Sequence, residues 1–103
     1  MLTEELRDYI ETHCNAIKIF GTSALELELD KDSRRASGKK FSAEHIQKDT
    51  DLMTATFVTS IYNKLRLEVE KKHHKSYDEW VAFIEGNGVL DDLEESVDEM
   101  EFE

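Results

Sequence analysis

This sequence contains no proline and no long apolar run, and it has little cysteine or glycine. Its 103 residues include no proline, one cysteine, four glycines and one tryptophan. Without a proline, or a stretch rich in glycine or serine, nothing marks a linker, so residues 1–100 are predicted to form one helical domain. Residues 101–103 are predicted to be a disordered acidic end. The lone Cys14 excludes an internal disulfide and a cysteine-based zinc site, so stability must come from packing.

The sequence also lacks the signals of membrane insertion and export. No apolar run approaches the roughly 20 residues of a membrane-spanning helix. The N-terminal residues 1–5 have neither the basic region nor the apolar region of a signal peptide. We therefore expect a cytoplasmic protein without membrane contact. The apolar fraction of 39%, with nine aromatic residues, suffices for one modest core.

Basic residues are missing from the C-terminal quarter of the chain. The formal net charge is −11, and residues 78–103 hold eleven acids and no Lys or Arg. The rest of the chain is balanced, so the excess negative charge belongs to this end. Because phosphate binding needs Lys and Arg, direct nucleic-acid binding by this end is not expected. The distribution favours a protein partner with a basic or amphipathic binding surface.

Apolar residues recur at helical spacing along most of the chain. This periodicity predicts helices at 3–16, 51–72, 77–85 and 89–100, with 51–72 as the long central helix. Thr3 is the predicted N-cap of the first helix, and Thr50 with Asp51 marks a point where the central helix can begin again. Ser76 and Glu79 form a capping box before the third helix, and Gly86 to Gly88 end it.

Residues 17–30 carry a different pattern. Leu25, Leu27 and Leu29 alternate with glutamates, as in a strand with one apolar face. The alternation predicts a small β-hairpin that turns at Gly21. The predicted fold class is therefore mainly α (α+β), with a long central helix, this hairpin and an acidic C-terminal helix pair. Because Leu and Glu are also good helix formers, an all-α fold is the alternative.

Three residue sets could carry chemistry, and none predicts an enzyme. Glu70, His74 and Asp78 are spaced four apart, but a helix break at Ser76 would separate them, so no metal site is predicted. Cys14 lies on the apolar stripe of the first helix, where a buried thiol is ordinary. The glycines do not form a phosphate-binding loop. No catalytic residue and no cofactor are predicted.

The basic segment 31–40 is a further candidate, for nucleic-acid binding. It contains five Lys or Arg residues, and Phe41 follows it as an aromatic side chain that could stack on a base. One aromatic side chain beside five Lys or Arg residues, in a chain body that is otherwise neutral, is typical of a solvated loop or of a loop that contacts the acidic end. Direct nucleic-acid binding is therefore not predicted.

A short stretch near the end resembles a known family. Residues 76–93 read SYDEWVAFIEGNGVLDDL, and with the acidic helix to residue 98 they resemble the C-terminal part of small tail assembly chaperones of long-tailed bacteriophages. The resemblance implies a mostly helical, acidic, non-enzymatic protein that holds the tape-measure protein while the tail tube is built. It would place the chain in a host cytoplasm. The amphipathic first helix departs from the β-rich start expected of that family.

Two functions follow from these observations. The first is a non-catalytic acidic protein-binding module, such as a phage assembly chaperone or adaptor. The alternative is a small acidic inhibitor, a nucleic-acid mimic of the anti-CRISPR or immunity type, that blocks a basic site on another protein. The candidate partner-binding residues are Trp80, Phe83, Ile84, Leu90, Asp91, Asp92, Leu93, Glu94, Glu95, Val97, Asp98 and Glu99. The sequence leaves open whether the apolar stripe at 90–100 packs on its own domain or on a partner.

Overall fold

The protein is mainly α-helical in the computed structural model, which describes residues 1–71 and 76–100. The helices are α1 (Thr3–His13), α2 (Ala16–Ser33), α3 (Ala43–Lys71), α4 (Tyr77–Gly86) and α5 (Val89–Glu99), and a short 3₁₀ turn spans Ser37–Lys39. No strand occurs within the described residues, so the all-α alternative fits. None of these helices combines the length and the apolarity that a bilayer span requires. The predicted disordered end, residues 101–103, lies outside the described residues.

The predicted β-hairpin at 17–30 is wrong, because this segment lies inside α2. The buried residues of α2 have helical spacing: they are Ala16, Ile17, Phe20, Ala24 and Glu28. Of the three alternating leucines, Leu29 is 50% exposed, so their shared strand face is not what the fold buries. The Leu and Glu residues supply helix propensity, and the small side chains of Ala16 and Ala24 are fully buried in the packing of α2.

The predicted N-cap of the first helix and the predicted start of the central helix differ from the structure. Helix α1 begins at Thr3, with Leu2 as the N-cap, and the Glu5 carboxylate accepts the Leu2 N–H at 2.8 Å. Helix α3 begins at Ala43 and continues through Thr50 without a break. The buried Thr50 hydroxyl donates to the Ile46 carbonyl at 2.9 Å. The hydroxyl of this buried threonine thus has a hydrogen-bond partner in the helix backbone, so its burial leaves no polar group unsatisfied.

One end of the molecule is closed by α1, α3 and α4. Trp80 of α4 is 2% exposed and stacks on Tyr62 of α3 with ring centroids 5.2 Å apart. The Tyr62 hydroxyl donates to the Met1 carbonyl at 2.8 Å, which ties down the start of the chain. The buried residues of this cluster are Leu6, Tyr9, Ile10, Ile17, Val58, Ile61, Leu65, Val69, Trp80 and Ile84.

Helix α4 begins and ends at the predicted signals, and the turn to α5 follows it. Ser76 is the N-cap of α4: its Oγ accepts the Glu79 N–H at 3.2 Å and donates to the Glu79 carboxylate at 2.9 Å. Helix α4 ends at Gly86, and Asn87 caps it by donating from its side chain to the Phe83 carbonyl at 2.8 Å. Gly88 has φ 62°, the left-handed conformation that favours glycine. The chain can therefore reverse here and start α5.

Helix α5 packs mainly on α2 and α4. Val97 is 3% exposed and forms a buried cluster with Ala16, Phe20 and Ala24 of α2. Leu93 packs against this cluster and also against the larger one. Part of the apolar stripe of α5 is thus covered by its own chain, and α2 rather than α3 provides most of the cover.

Candidate functional site

An apolar groove of about 690 Å³ lies between α3 and α5, and we call it the α3/α5 groove. Phe20 of α2 lies between the two walls and stacks on Phe57 of α3 with ring centroids 4.2 Å apart. The lining residues are Phe20, Leu52, Met53, Thr56, Phe57, Ser60, Ile61, Lys64, Leu65, Val89, Leu93, Ser96 and Met100. The groove exists because α3 and α5 both pack on α2 but hardly touch each other.

The α3 wall of the groove carries no charge over three turns. Residues 52–63 contain no Asp, Glu, Lys or Arg, although 36% of the whole chain is charged. The exposed side chains of this stretch are Leu52, Ala55, Thr56, Thr59, Ser60 and Asn63. Leu52 is 68% exposed, and Lys64 ends the uncharged run. A solvated helix face normally carries charges, so this wall resembles a contact surface more than an ordinary exterior.

The α5 wall is apolar in the groove and acidic beside it. Val89, Leu93, Ser96 and Met100 line the groove at three- and four-residue spacing. The same spacing puts Asp92 and Glu99 in the row next to Ser96, on the side away from Val97. Both carboxylates are exposed. The groove thus has one wall that is uncharged from residue 52 to residue 63 and ends at Lys64, and one wall with an acidic rim.

The acids of α5 have no cation beside them in the described residues. Glu94 differs from the others because its carboxylate accepts a hydrogen bond from the Asn15 N–H at 3.0 Å, just before α2 begins. The exposed acids of this helix are Asp91, Asp92, Glu95, Asp98 and Glu99. Across residues 1–71 and 76–100, no ion pair involves an acid of α5. The acidic surface is therefore available to a cationic partner, whereas Glu94 already holds the α1 to α2 junction.

The candidate partner-binding residues fall into three groups in the structure. The side chains of Trp80, Ile84 and Val97 are buried in the folded chain. Phe83, Leu90, Leu93 and Glu94 are partly buried, and only Leu93 of these lines the groove. The five other acids of α5 are exposed. The sequence-based set therefore mixes core positions with surface positions that a partner can reach.

The sequence-based set misses the α3 side of the site altogether. Leu52, Met53 and Phe57 line the groove, but their helical spacing made them look like parts of the core stripe. The uncharged run at 52–63 was the available signal. An amphipathic helix of this length should show charges on its outer face, and this one does not.

Cys14 has the surroundings of a structural thiol. It is partly buried and packs against both apolar clusters. Burial raises the pKa of the Cys14 thiol, and the nearby Glu94 and Asp91 carboxylates raise it further. The thiolate, which is the nucleophilic form, is thereby disfavoured at neutral pH.

The metal candidate involves a residue that the structure does not describe. His74 of the set Glu70, His74 and Asp78 lies outside the described residues. Within residues 1–71 and 76–100, no group of three or more His, Cys, Asp or Glu side chains is arranged to hold a metal ion.

The basic segment after α2 is engaged in contacts within its own loop. The Asp32 carboxylate accepts the Phe41 N–H at 2.8 Å and pairs with Arg35 at 3.0 Å. The Phe41 N–H is the main cause that lowers the pKa of Asp32. The Arg35 guanidinium lies 4.0 Å from the centre of the Phe41 ring, and the His45 ring lies 4.2 Å away. Phe41 thus already has a cation and a ring against it, which leaves less of it to stack on a base.

Comparisons with known proteins gave no match that bears on this geometry. No protein-family model matches the chain, and neither a curated protein sequence nor a solved structure matches it.

Proposed function

We propose that this protein is a non-catalytic protein-binding module that receives apolar side chains of a partner in the α3/α5 groove. The observation that carries the proposal is the uncharged, exposed α3 wall, on which Leu52 is 68% exposed beside an apolar groove. In a chain with a net charge of −11, an uncharged surface of three turns stands out from its surroundings.

The physical gain from covering this surface is the hydrophobic effect. Burial of apolar surface contributes about 25 cal/mol per Å², so one Leu side chain that becomes fully covered contributes about 1.5–3 kcal/mol. Leu52 and Met100 are both well exposed, at 68% and 39%, and both line the groove. A partner that covers them therefore gains apolar contacts that the folded chain leaves unused.

A role as a phage assembly chaperone or adaptor is a narrower form of this proposal. Its support is the resemblance at residues 76–98 together with the acidic end of the chain. In this form, Trp80 and Ile84 fix α4 in the core, and the reachable positions on α5 are Leu93 and the exposed acids. The partner would then be an assembly protein with an amphipathic segment.

Two leucines of α3 allow a matched test of the groove. Leu52 and Leu67 are 68% and 66% exposed on the same helix, but only Leu52 is among the lining residues. The tagged protein and its Leu52→Ser and Leu67→Ser variants are incubated with cell or phage lysate, and captured proteins are quantified by mass spectrometry. We expect Leu52→Ser to reduce capture of a specific partner about tenfold and Leu67→Ser to leave it unchanged.

The salt dependence of capture separates the first function from the alternative. Binding through apolar contacts persists when salt is raised from about 0.05 M to about 1 M, whereas binding through exposed charges is screened. Equal capture by both leucine variants, or no capture at either salt concentration, would count against the groove as the docking surface.

An acidic inhibitor is the second candidate function. The exposed acids of α5 support it, since they pair with no cation in the described residues. Such acids can imitate the phosphates of a nucleic acid on a basic protein. The double variant Asp91→Asn/Asp98→Asn removes two charges on the side of α5 away from the groove. Capture that falls in this variant, is lost at high salt and is unaffected by Leu52→Ser would favour the inhibitor.

A further inference from the structure

We infer that the ligand of the α3/α5 groove is an amphipathic helix of a partner protein with two unlike edges. The edge that meets α5 carries Lys or Arg, and the edge that meets α3 carries small uncharged residues. This inference rests on the proposed function and specifies the chemistry of the partner at the same site.

The two edges of the partner helix differ in charge because the two walls of the α3/α5 groove differ in charge. Asp92 and Glu99 border the groove on α5, and Glu95 lies farther round on the same side of that helix. A ligand side chain at this edge gains from positive charge, since no cation of the described chain neutralises these acids. On the other wall, Thr56 and Ser60 are exposed and uncharged, so a charge placed beside them would find no counter-charge, and Lys64 at the end of this wall would repel a further cation.

The length and shape of the groove suit a helix. The α3 wall runs from Leu52 to Leu65, which is about 20 Å at 1.5 Å per residue and corresponds to between three and four helical turns. A strand in this position would need backbone partners, and two helices offer none. A helix satisfies its own backbone, and the small side chains of Thr56 and Ser60, four residues apart in the lining, permit its close approach.

Charge also argues for a foreign helix over a second copy of this chain. Each copy has a net charge of −11, and pairing through this groove would bring two acidic α5 helices near one another. Of the bases at residues 64–71, Arg66 is paired with Glu70 and Lys71 with Glu68 within α3, so of these only Lys64 could meet an acid of a second copy. A basic partner removes this repulsion, whereas a second copy adds to it.

The test uses two synthetic amphipathic peptides of about 14 residues that share one apolar stripe. One carries Lys along one edge and Ala or Ser along the other, and the second carries Glu in place of Lys. Each peptide bears a fluorescent label, and its affinity for the full chain is measured by anisotropy. We expect the Lys peptide to bind at least about tenfold more tightly at low salt, with a smaller ratio at high salt.

Two double variants with equal loss of charge locate the effect. Asp92→Asn/Glu99→Gln removes the rim beside the groove, and Asp91→Asn/Asp98→Asn removes two acids from the far side of α5. We expect the rim variant to lower the affinity for the Lys peptide by about threefold to tenfold and the far-side variant to change it little. Leu52→Ser should weaken the binding of the Lys peptide, whereas Leu67→Ser should not.

The outcomes separate this inference from the proposed function. If both peptides bind equally and Leu52→Ser weakens both, the groove is a docking site and the inferred charge is wrong. If neither peptide binds, the inferred ligand is wrong, and the lysate experiment judges the groove by itself. Light scattering that shows a dimer, which Leu52→Ser converts to a monomer, assigns the groove to a second copy.

Discussion

The two sides of α3 face very different surroundings. Around Tyr62 the helix is covered by α1 and α4, and Trp80 stacks on the tyrosine ring at 5.2 Å. Around Leu52 it borders an open groove, and the leucine is 68% exposed. The same helix therefore contributes to a closed core on one side and to an open apolar groove on the other.

The comparison separates residues that hold the fold from residues that a partner can reach. At the closed end, polar atoms of the aromatic side chains have partners: the Tyr62 hydroxyl donates to the Met1 carbonyl and the Tyr9 hydroxyl to the Glu85 carboxylate at 3.3 Å. At the groove, the exposed side chains of α3 are apolar or uncharged up to Asn63, and Lys64 follows them. Substitutions at the closed end should thus change stability, and those at the groove should change binding.

The largest expected effect comes from Trp80→Ala at the closed end. Removing a Trp side chain that is 2% exposed leaves a cavity, so we expect the free energy of unfolding to fall by about 3–5 kcal/mol. Urea unfolding followed by circular dichroism measures the change. Leu52→Ala serves as the control and should stay within about 0.5 kcal/mol of the parent. Equal losses in the two variants would mean that the closed cluster and the groove side of α3 do not differ as described.

A smaller effect is expected for Ser76→Ala, which removes the N-cap that starts α4 toward the closed end. The Ser76 Oγ accepts the Glu79 N–H at 3.2 Å, and loss of such a cap costs about 1 kcal/mol. Ser60→Ala provides the comparison, because Ser60 is exposed inside α3 and alanine favours a helix interior. Thermal unfolding should give Ser76→Ala a lower midpoint temperature than Ser60→Ala, and the reverse order would contradict the capping role.

The smallest expected effect concerns Cys14, which packs against both apolar clusters and so reports on the boundary between them. Burial raises the pKa of its thiol, so the reactive thiolate should appear at higher pH in the folded chain than in the unfolded one. Rates of alkylation by iodoacetamide, measured against pH with and without denaturant, give the two midpoints. A folded midpoint at or below the unfolded one would show that Cys14 is not shielded.

Helices were easier to predict than the contacts between them. The stripes behind α1, α3, α4 and α5 were recognised because a period of 3.6 is written in the sequence. The segment of α2 was mistaken for a hairpin because Leu and Glu alternate there, while its buried face, including Ala16 and Ala24, is made partly of small residues. Small residues give a weak periodic signal, yet they let helices approach closely, and only packing reveals their role.

The candidate site was predicted on one side only. The acids of α5 were found because a run of one charge is visible in any sequence. Leu52 was not, since an apolar residue on a helical stripe is expected to be buried, and its exposure depends on where α5 lies. Val97 shows the reverse case: it was a candidate for partner binding, and packing on α2 buries it to 3% exposure.

The sequence by itself determined the helical segments other than α2, the cap at Ser76, the turn through Gly88 and the acidic character of α5, because each depends on neighbours along the chain. Tertiary structure alone decided that α2 covers Val97 and that α3 and α5 stay apart with a groove between them. Local propensity and charge act over a few residues. Which apolar side chains are covered depends on how distant helices share a limited surface, and that is settled only when all of them pack together.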